Sequence, residues 1–448
     1  MSLENYFYRY LPPFMRRLWD RIKASSFGYR LAHGTFWSMM GAGASQSLML
    51  LTSIISARIL GKQQFGEFGI INNTIGMFSV FAGFALGMTA TKYVAEFRRK
   101  DPFKAGRIVA LSSLVAMGTG AAVALVLLVI APWLASETLA APQLTGLLRI
   151  SAGFLFFGAL SGAQTGALAG FEAFRTIARV NIMTGLVSFP LIIGGVYLFG
   201  LQGGVSGLVV SSAANCLMNT IALRAEARRA GIPIGYAGCG SERHVLLGFS
   251  MPAVLAGIMF NPVNWACAAM LVNQPDGYAN MGVFSAANAW QKAILFLPGC
   301  LNAIALPMLS DFYGSGKRGD YKKALWYNIA LNGGSAIIVA SAITLVSSYI
   351  MRSYGSGFVE GRNVLIILSF SAVLISINSV AGSAIASAGR TWFGFLFNLL
   401  WGVALICSAY FLIPLYGATG LALATLFSYM LHSVWQILYV GRLSRIKA

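Results

Sequence analysis

Charge is scarce in this chain. Only 10% of its 448 residues are Asp, Glu, Lys or Arg, against roughly 25% in an average soluble domain. Acids are scarcer still: 13 Asp and Glu face 32 Lys and Arg, for a net charge of +19 at pH 7. A solvated surface of ordinary composition is therefore excluded. Cysteine is sparse too. Cys216, Cys239, Cys267, Cys300 and Cys407 are scattered, with no CxxC pair, so neither a disulfide framework nor a zinc ribbon is expected. The three histidines, His33, His244 and His432, lie far apart near predicted span ends and suggest no metal site. No nucleophile–base constellation, phosphate-binding loop or pair of carboxylates is visible, so no enzyme, no ATP hydrolysis and no cofactor are expected. The excess of positive charge is spread over many short segments, which argues against a nucleic-acid partner.

Apolar length takes the place of charge. Hydrophobic residues make up 57% of the chain, with 50 Gly and 30 Phe. A bilayer core needs about 20 apolar residues per helix. The charge-free intervals 31–57, 68–91, 108–136, 150–171, 245–275, 324–351 and 363–389 fit one span each. The intervals 180–223 and 391–441 fit two each, turning at Gly200–Gly204 and Pro414–Gly417. A last span, 277–310, holds a single charge, Lys292. The expected fold is all-α and integral to the membrane, with about twelve transmembrane helices.

With the N-terminus inside, 26 of the 32 basic residues fall on the inner side, as the positive-inside rule requires. Both termini are expected in the cytoplasm, and the protein is expected to be a multi-pass one of a bacterial inner membrane. In 12–24, Phe14, Leu18 and Ile22 recur at helical spacing among basic residues, which suggests an interfacial amphipathic helix. The expected organisation is a leader over 1–30, a first lobe over 31–223, a cytoplasmic linker over 224–244, a second lobe over 245–440 and a tail over 441–448.

The two lobes read as copies. Phe65–Ile70 matches Tyr278–Val283 at an offset of 213, and Gly204–Leu208 matches Gly417–Leu421 at the same offset. Ala167–Gly170 matches Ala386–Gly389 at 219. Six spans is an even number, so the copies share one orientation. That implies a pseudo-twofold along the membrane normal and a central cleft between the lobes.

The segment Ala57-Arg58-Ile59-Leu60-Gly61-Lys62-Gln63-Gln64-Phe65-Gly66, with Gly87 and Lys92-Tyr93-Val94-Ala95-Glu96 downstream, has the form A-R-x-L-G-x-x-x-F-G. It resembles the polysaccharide-transporter (Wzx-type, O-antigen flippase) branch of the MOP superfamily, which also contains the MATE exporters and the lipid II flippases. The resemblance implies a V of two six-helix lobes. It also implies transfer of undecaprenyl-pyrophosphate-linked oligosaccharide from the inner to the outer leaflet. Ala57, Arg58, Leu60, Gly61, Phe65 and Gly66 carry the motif. At the offset of 213 Leu271 stands where Arg58 would recur, with Val272 beside it, so a twofold role for Arg58 is not implied.

Lys292 is the leading candidate site residue. It lies about 12 residues, or ~18 Å, into its span, where a charge costs about 2.5–3.5 kcal/mol and seldom faces lipid. Asn288 at i−4 and Ser285 at i−7 share its face, and Gln291 adjoins it. On the equivalent span of the first lobe, Asn72 and Ser79 form a second polar face, and the 213 offset sets Ser79 opposite Lys292. Arg58 and Arg149 are candidates for the outer mouth. Gln46, Gln164, Asn181, Asn215, Asn261, Asn264, Asn302 and Asn378 are further buried polar candidates, of unknown facing. No acid falls at mid-membrane, and a buried cation without one favours anionic cargo over cationic drugs. The expected partners are lipid-linked oligosaccharide, membrane lipids, a coupling ion (H+ or Na+) and other polysaccharide-assembly proteins. The rival readings are a drug or metabolite exporter of the same fold, a membrane glycosyl polymerase or ligase, and a scaffold. The polymerase lacks its usual large outer loop here.

Overall fold

The computed structural model describes residues 26–83, 85–236, 238–242, 258–316 and 318–443. The proposed amphipathic leader, except for its last residues, and most of the expected linker boundary at 243–257 lie outside the described residues. Among those described there are no strands. The helices are α1 (Ser26–Gly83), α2 (Leu86–Phe97), α3 (Pro102–Trp133), α4 (Thr145–Gly170) and α5 (Phe174–Arg229), then α6 (Phe260–Val272) and α7 (Gly277–Gly314). They continue with α8 (Arg318–Leu345), α9 (Ser347–Tyr354), α10 (Arg362–Ser387) and α11 (Thr391–Leu443). Seven of the described helical stretches are long and apolar enough to cross a bilayer. The expected twelve spans also draw on α6, which follows the undescribed segment, and α7, which contains Lys292.

Glycine makes the turns that the charge-free intervals require. Three very long helices break at a residue of positive φ: Gly61 (φ 70°) in α1, Gly200 (φ 57°) in α5 and Gly417 (φ 54°) in α11. A side chain at such a φ is strained, so Gly is the residue that permits the break. Both arms of α5 then close on each other, because Gly195 and Gly203 each present bare backbone to the other. In α11 Gly420 meets the Leu412 carbonyl in the same way. Backbone approach of this kind is the usual gain from small residues in lipid, where no hydrophobic force draws helices together. The start of α3 is set by a side-chain cap. Asp101 accepts from the Lys104 N–H at 2.9 Å with Pro102 at the first helical position of α3, a standard start. Pro132 precedes the π-helical turn Leu134–Thr138 that ends the same helix, as a missing N–H and a ring clash dictate.

The internal repeat is visible in the element boundaries, in a corrected register. Pro102 and Arg318 open helices 216 residues apart, and Thr145 and Arg362, like Phe174 and Thr391, open helices 217 apart. The breaks at Gly200 and Gly417 are 217 apart, as are the positive-φ residues Glu172 and Gly389 that end α4 and α10. Both of those ends close with the same pair of bonds: Ala173 N–H to Leu168 O with Glu172 N–H to Ala169 O, and Arg390 N–H to Ile385 O with Gly389 N–H to Ala386 O, a Schellman-type cap. The sequence offsets of 213 and 219 are therefore replaced by 216–217. Gly and Ala recur too often for short matches to hold register, whereas helix ends hold it.

The halves meet where α1 crosses α7. A Cβ on Gly66 would strike the Tyr278 carbonyl, and one on Gly282 would strike the Lys62 carbonyl. Those two contacts exchange under a shift of 216, so the crossing lies on a local twofold. Gly69 faces Ser285 there, also 216 away. One hydrophobic cluster runs through this crossing, from Ile70, Ile71, Leu127 and Leu148 to Met281, Leu365, Leu368 and Trp401.

Candidate functional site

Beside the crossing lies a pocket of about 420 Å³. Its walls are α1 on both sides of Gly61, α5 through Ile192 and Leu208, α6 through Asn261 and Asn264, and α7 through Ser285, Asn288 and Lys292. The lining is rich in amides and hydroxyls: Gln46, Thr52, Ser53, Ser56, Asn72 and Asn73 join the residues of α6 and α7. Lys292 is the one charged residue in that lining, and no acid is present there. Its side chain is exposed to the pocket, and no ion pair links it to any described residue.

The amides are oriented by their own helices. Asn72 donates to Phe68 O at 2.9 Å, Asn73 to Gly69 O at 3.0 Å and Asn264 to Phe260 O at 2.7 Å. Asn261 donates across to Gly76 O at 2.9 Å. Each spends one N–H on a backbone carbonyl and keeps its oxygen and second N–H for a ligand. Such a wall can exchange hydrogen bonds with hydroxyl groups in either direction, and Lys292 adds three cationic donors.

Asn72, Ser285, Asn288 and Lys292 come together here. In the corrected register Asn72 and Asn288 are counterparts, 216 apart, and Lys292 falls opposite Gly76 instead of Ser79. Other candidates lie elsewhere. Gln291 is buried on the far side of α7 and donates to Leu368 O at 3.3 Å, since adjacent helical residues point about 100° apart. Ser79 turns back on Ile75 O at 2.7 Å and lies one turn past the lining. Ser285 reaches the wall, but its Oγ is buried against Gly69 without a partner. Arg149 is exposed near the start of α4 and does not line the pocket. Gln46, Asn261 and Asn264 were legible only as polar residues of unknown facing.

Arg58 and the motif around it belong to a seam between the halves. Arg58 Nε donates to Ser353 O at 2.6 Å, and Lys62 pairs with Glu360 at 2.9 Å. Ala57, Leu60 and Phe65 are buried, and the Phe65 ring packs on Tyr354 and Phe358 at 6.3 and 6.0 Å. Each motif residue has a structural reason: Ala57 and Leu60 for packing, Gly61 for the turn, Phe65 for the ring cluster and Gly66 for the crossing. On the opposite face the counterparts repeat the pattern with other chemistry. Tyr278, 216 residues after Lys62, donates to Leu139 O at 2.7 Å, and Asn273 donates to Thr138 O at 2.7 Å. Gln274, not Leu271, is thus the counterpart of Arg58. Hydrogen bonds thus bridge the seam at the Gly61 end on both faces.

A larger cavity of about 850 Å³ lies across α6, lined mainly by Trp133, Trp265, Ala269, Tyr410, Phe411 and Pro414. It holds one carboxylate, Glu137, and no cation. This cavity is the larger of the two, but its walls are mostly apolar and aromatic.

Comparison with known proteins agrees with this architecture. The model of a family described as polysaccharide biosynthesis protein matches residues 31–313. An EPS I polysaccharide export inner membrane protein, EpsE of Ralstonia solanacearum, is 26% identical over 418 residues, covering 90% of this chain and 92% of that protein. Among solved structures, the inward-facing conformation of a multidrug resistance MATE family transporter covers 92% of this chain with a TM-score of 0.76 at 14% identity. A MOP superfamily transporter from Pyrococcus furiosus covers 93% with a TM-score of 0.68, also at 14% identity. The chain belongs to the polysaccharide biosynthesis protein family and has the fold of the MATE transporters of the MOP superfamily.

Proposed function

We propose that this multi-pass transporter moves a lipid-linked oligosaccharide with an anionic head group across the bacterial inner membrane by alternating access. One observation carries the reading: Lys292 is a cation without a partner among the described residues, in an amide-lined pocket with no acid. A diphosphate and several sugars in hydrocarbon would leave many polar groups without partners, each costing several kcal/mol. The pocket replaces those partners. Lys292 takes the phosphate charge, and the asparagine amides of α1 and α6 take sugar hydroxyls. An exporter of cationic drugs would want the opposite sign at this position.

The orientation follows the basic residues, which sets the Gly61 end outside and both termini in the cytoplasm. With the outer seam shut, cargo enters from the inner side. Parting Arg58 from Ser353 and Tyr278 from Leu139 then opens the other face. A pocket of about 420 Å³ holds a head group and one or two sugars, so a longer glycan extends into the opening. Undecaprenyl pyrophosphate is the carrier implied by the resemblance. The test is Lys292→Ala in cells making the polysaccharide. The reading expects inserted protein and lipid-linked sugar retained on the inner leaflet. Surface polysaccharide at the normal level in that variant would overturn it.

A further inference from the structure

The second arm of α11 carries Thr425, Ser428, Tyr429, His432, Ser433 and Gln436, a polar stripe at helical spacing. Thr425, Ser428 and Ser433 satisfy themselves on their own helix at 2.8–2.9 Å. His432 and Gln436 do not. They touch each other, Nε2 to Nε2 at 2.9 Å, and each is 3% exposed. That contact leaves His432 Nδ1 and Gln436 Oε1 buried without partners, and Asn378 Oδ1 of α10 and Trp401 Nε1 of the first arm are in the same state. All four belong to one cluster. The Trp401 ring lies 6.4 Å from the imidazole and 5.3 Å from the Tyr429 ring, and Asn378 Nδ2 reaches Tyr429 O at 3.5 Å.

The first half shows what a completed version looks like. In the 217 register Trp401, His432 and Gln436 correspond to Thr184, Asn215 and Asn219. Thr184 donates to Asn215 Oδ1 at 3.0 Å, and Asn219 donates to the same oxygen at 2.9 Å. Thr165 donates to Asn219 Oδ1 at 3.3 Å. That network closes on itself and contains no ionisable group. Its counterpart holds an imidazole and unmatched atoms, and such atoms in a low-dielectric interior point to something missing.

We propose that His432 is a proton-binding site of the second half. Protonation makes both ring nitrogens donors. A half-turn of the Gln436 amide then brings Oε1 to Nε2–H, and an amide oxygen or entering water must meet Nδ1–H. A bare charge there is unfavourable, so proton uptake has to rearrange the surroundings, which ties the charge to conformation. Tyr429 is the titratable neighbour in ring contact with His432. On the helices packed against this arm, α6 carries Cys267, α7 carries Tyr278, Lys292, Cys300, Asp311 and Tyr313, and α10 carries Arg362. None of these has a hydrogen bond or ion pair to the imidazole among the described residues. The route to the pocket is short. Phe260 packs on Trp401 at 4.8 Å, while Asn261 and Asn264 of the same helix line the polar wall. A shift around Trp401 therefore bears on α6 directly.

The link to cargo rests on the transport reading, whereas proton binding does not, and the experiment separates them. His33→Gln/His244→Gln protein labelled with 15N-histidine is reconstituted in nanodiscs and titrated between about pH 4 and 8, a range extended downward because a buried charge is unfavourable. The ring of His432 is expected to pass from neutral to doubly protonated, with the signal absent in His432→Gln. Transport in vesicles is then measured over the same range. The expected result is a change of about tenfold across it in the parent, and a flat profile in His432→Gln at retained expression. A ring that stays neutral throughout, as it would if the cluster merely held structural water, overturns the proposal. So does a His432→Gln variant with the parent pH profile. A titrating ring in a protein that moves no lipid-linked sugar leaves the proton site standing and removes the transport reading instead.

Discussion

Removal of the Lys292 ammonium is the sharpest test of the pocket. Hydrogen bonds to charged groups are worth about 1.5–3 kcal/mol. The pocket is open to water, which keeps the effect near this range and below the ~4 kcal/mol of an ion pair at 4 Å in a medium of dielectric 20. Loss of one ammonium–phosphate contact should thus weaken capture of an anionic head group roughly 10- to 150-fold. Stability should move the other way or not at all, because a central Lys costs about 2.5–3.5 kcal/mol on insertion scales and Lys292 makes no ion pair among the described residues. Lys292→Ala should therefore melt no lower than the parent while losing most transport. Lys292→Arg should keep much of it, and Lys292→Glu should keep none. The assay is exposure of a labelled lipid-linked oligosaccharide to an impermeant reagent in reconstituted vesicles, with thermal melting alongside. Transport by Lys292→Ala within twofold of the parent would refute the electrostatic reasoning, since it would show that the cation is not what the cargo meets.

Four further outcomes follow from the geometry. Gly66→Val should push α1 off the Tyr278 carbonyl, cost about 1–3 kcal/mol and reduce the yield of folded protein on size exclusion, whereas Gly76→Ala, with open space around it, should not. Tyr278→Phe removes the 2.7 Å bond to Leu139 O; a loss of about 0.5–1.5 kcal/mol should favour opening of the seam, read as faster labelling of a cysteine placed at Asn280. The exposed Lys62–Glu360 pair should contribute at most about 1 kcal/mol, so Lys62→Ala should shift melting little. Glu242, buried against Arg107 at 3.0 Å and near Lys104, holds the segment after α5 on α3; Glu242→Gln should weaken a charged bond worth about 1.5–3 kcal/mol and speed limited proteolysis near 232–242.

Much of the fold was legible because lipid simplifies the code. Charge-free length marked the helices, and the turns at Gly200 and Gly417 fell where two spans had to share one interval. The face shared by Ser285, Asn288 and Lys292 followed from helical spacing alone. Register did not, because Gly-rich matches such as Phe65–Ile70 with Tyr278–Val283 fit almost as well a few residues away. Three residues of slip cost the pairing of Asn72 with Asn288 and placed Ser79 where Gly76 belongs. Arg58 and Arg149 looked like substrate contacts because both are cations near a span end. What Arg58 touches, the Ser353 carbonyl, belongs to the opposite half, which local pattern does not encode. His432 was read as a span-end residue, although it lies well inside the second arm of α11. Its partners come from α10 and the first arm, so the cluster exists only after packing.

The crossing of α1 and α7 has a mechanical consequence. Where the halves touch at Gly66 and Gly282, backbone faces backbone. Under the proposed alternating access such a joint would act as a smooth bearing, with the rim bonds of Arg58 and Tyr278 setting when it tilts. It also leaves each half free to diverge in chemistry while the crossing stays common to both, which is how one duplicated scaffold can keep its lysine on a single side.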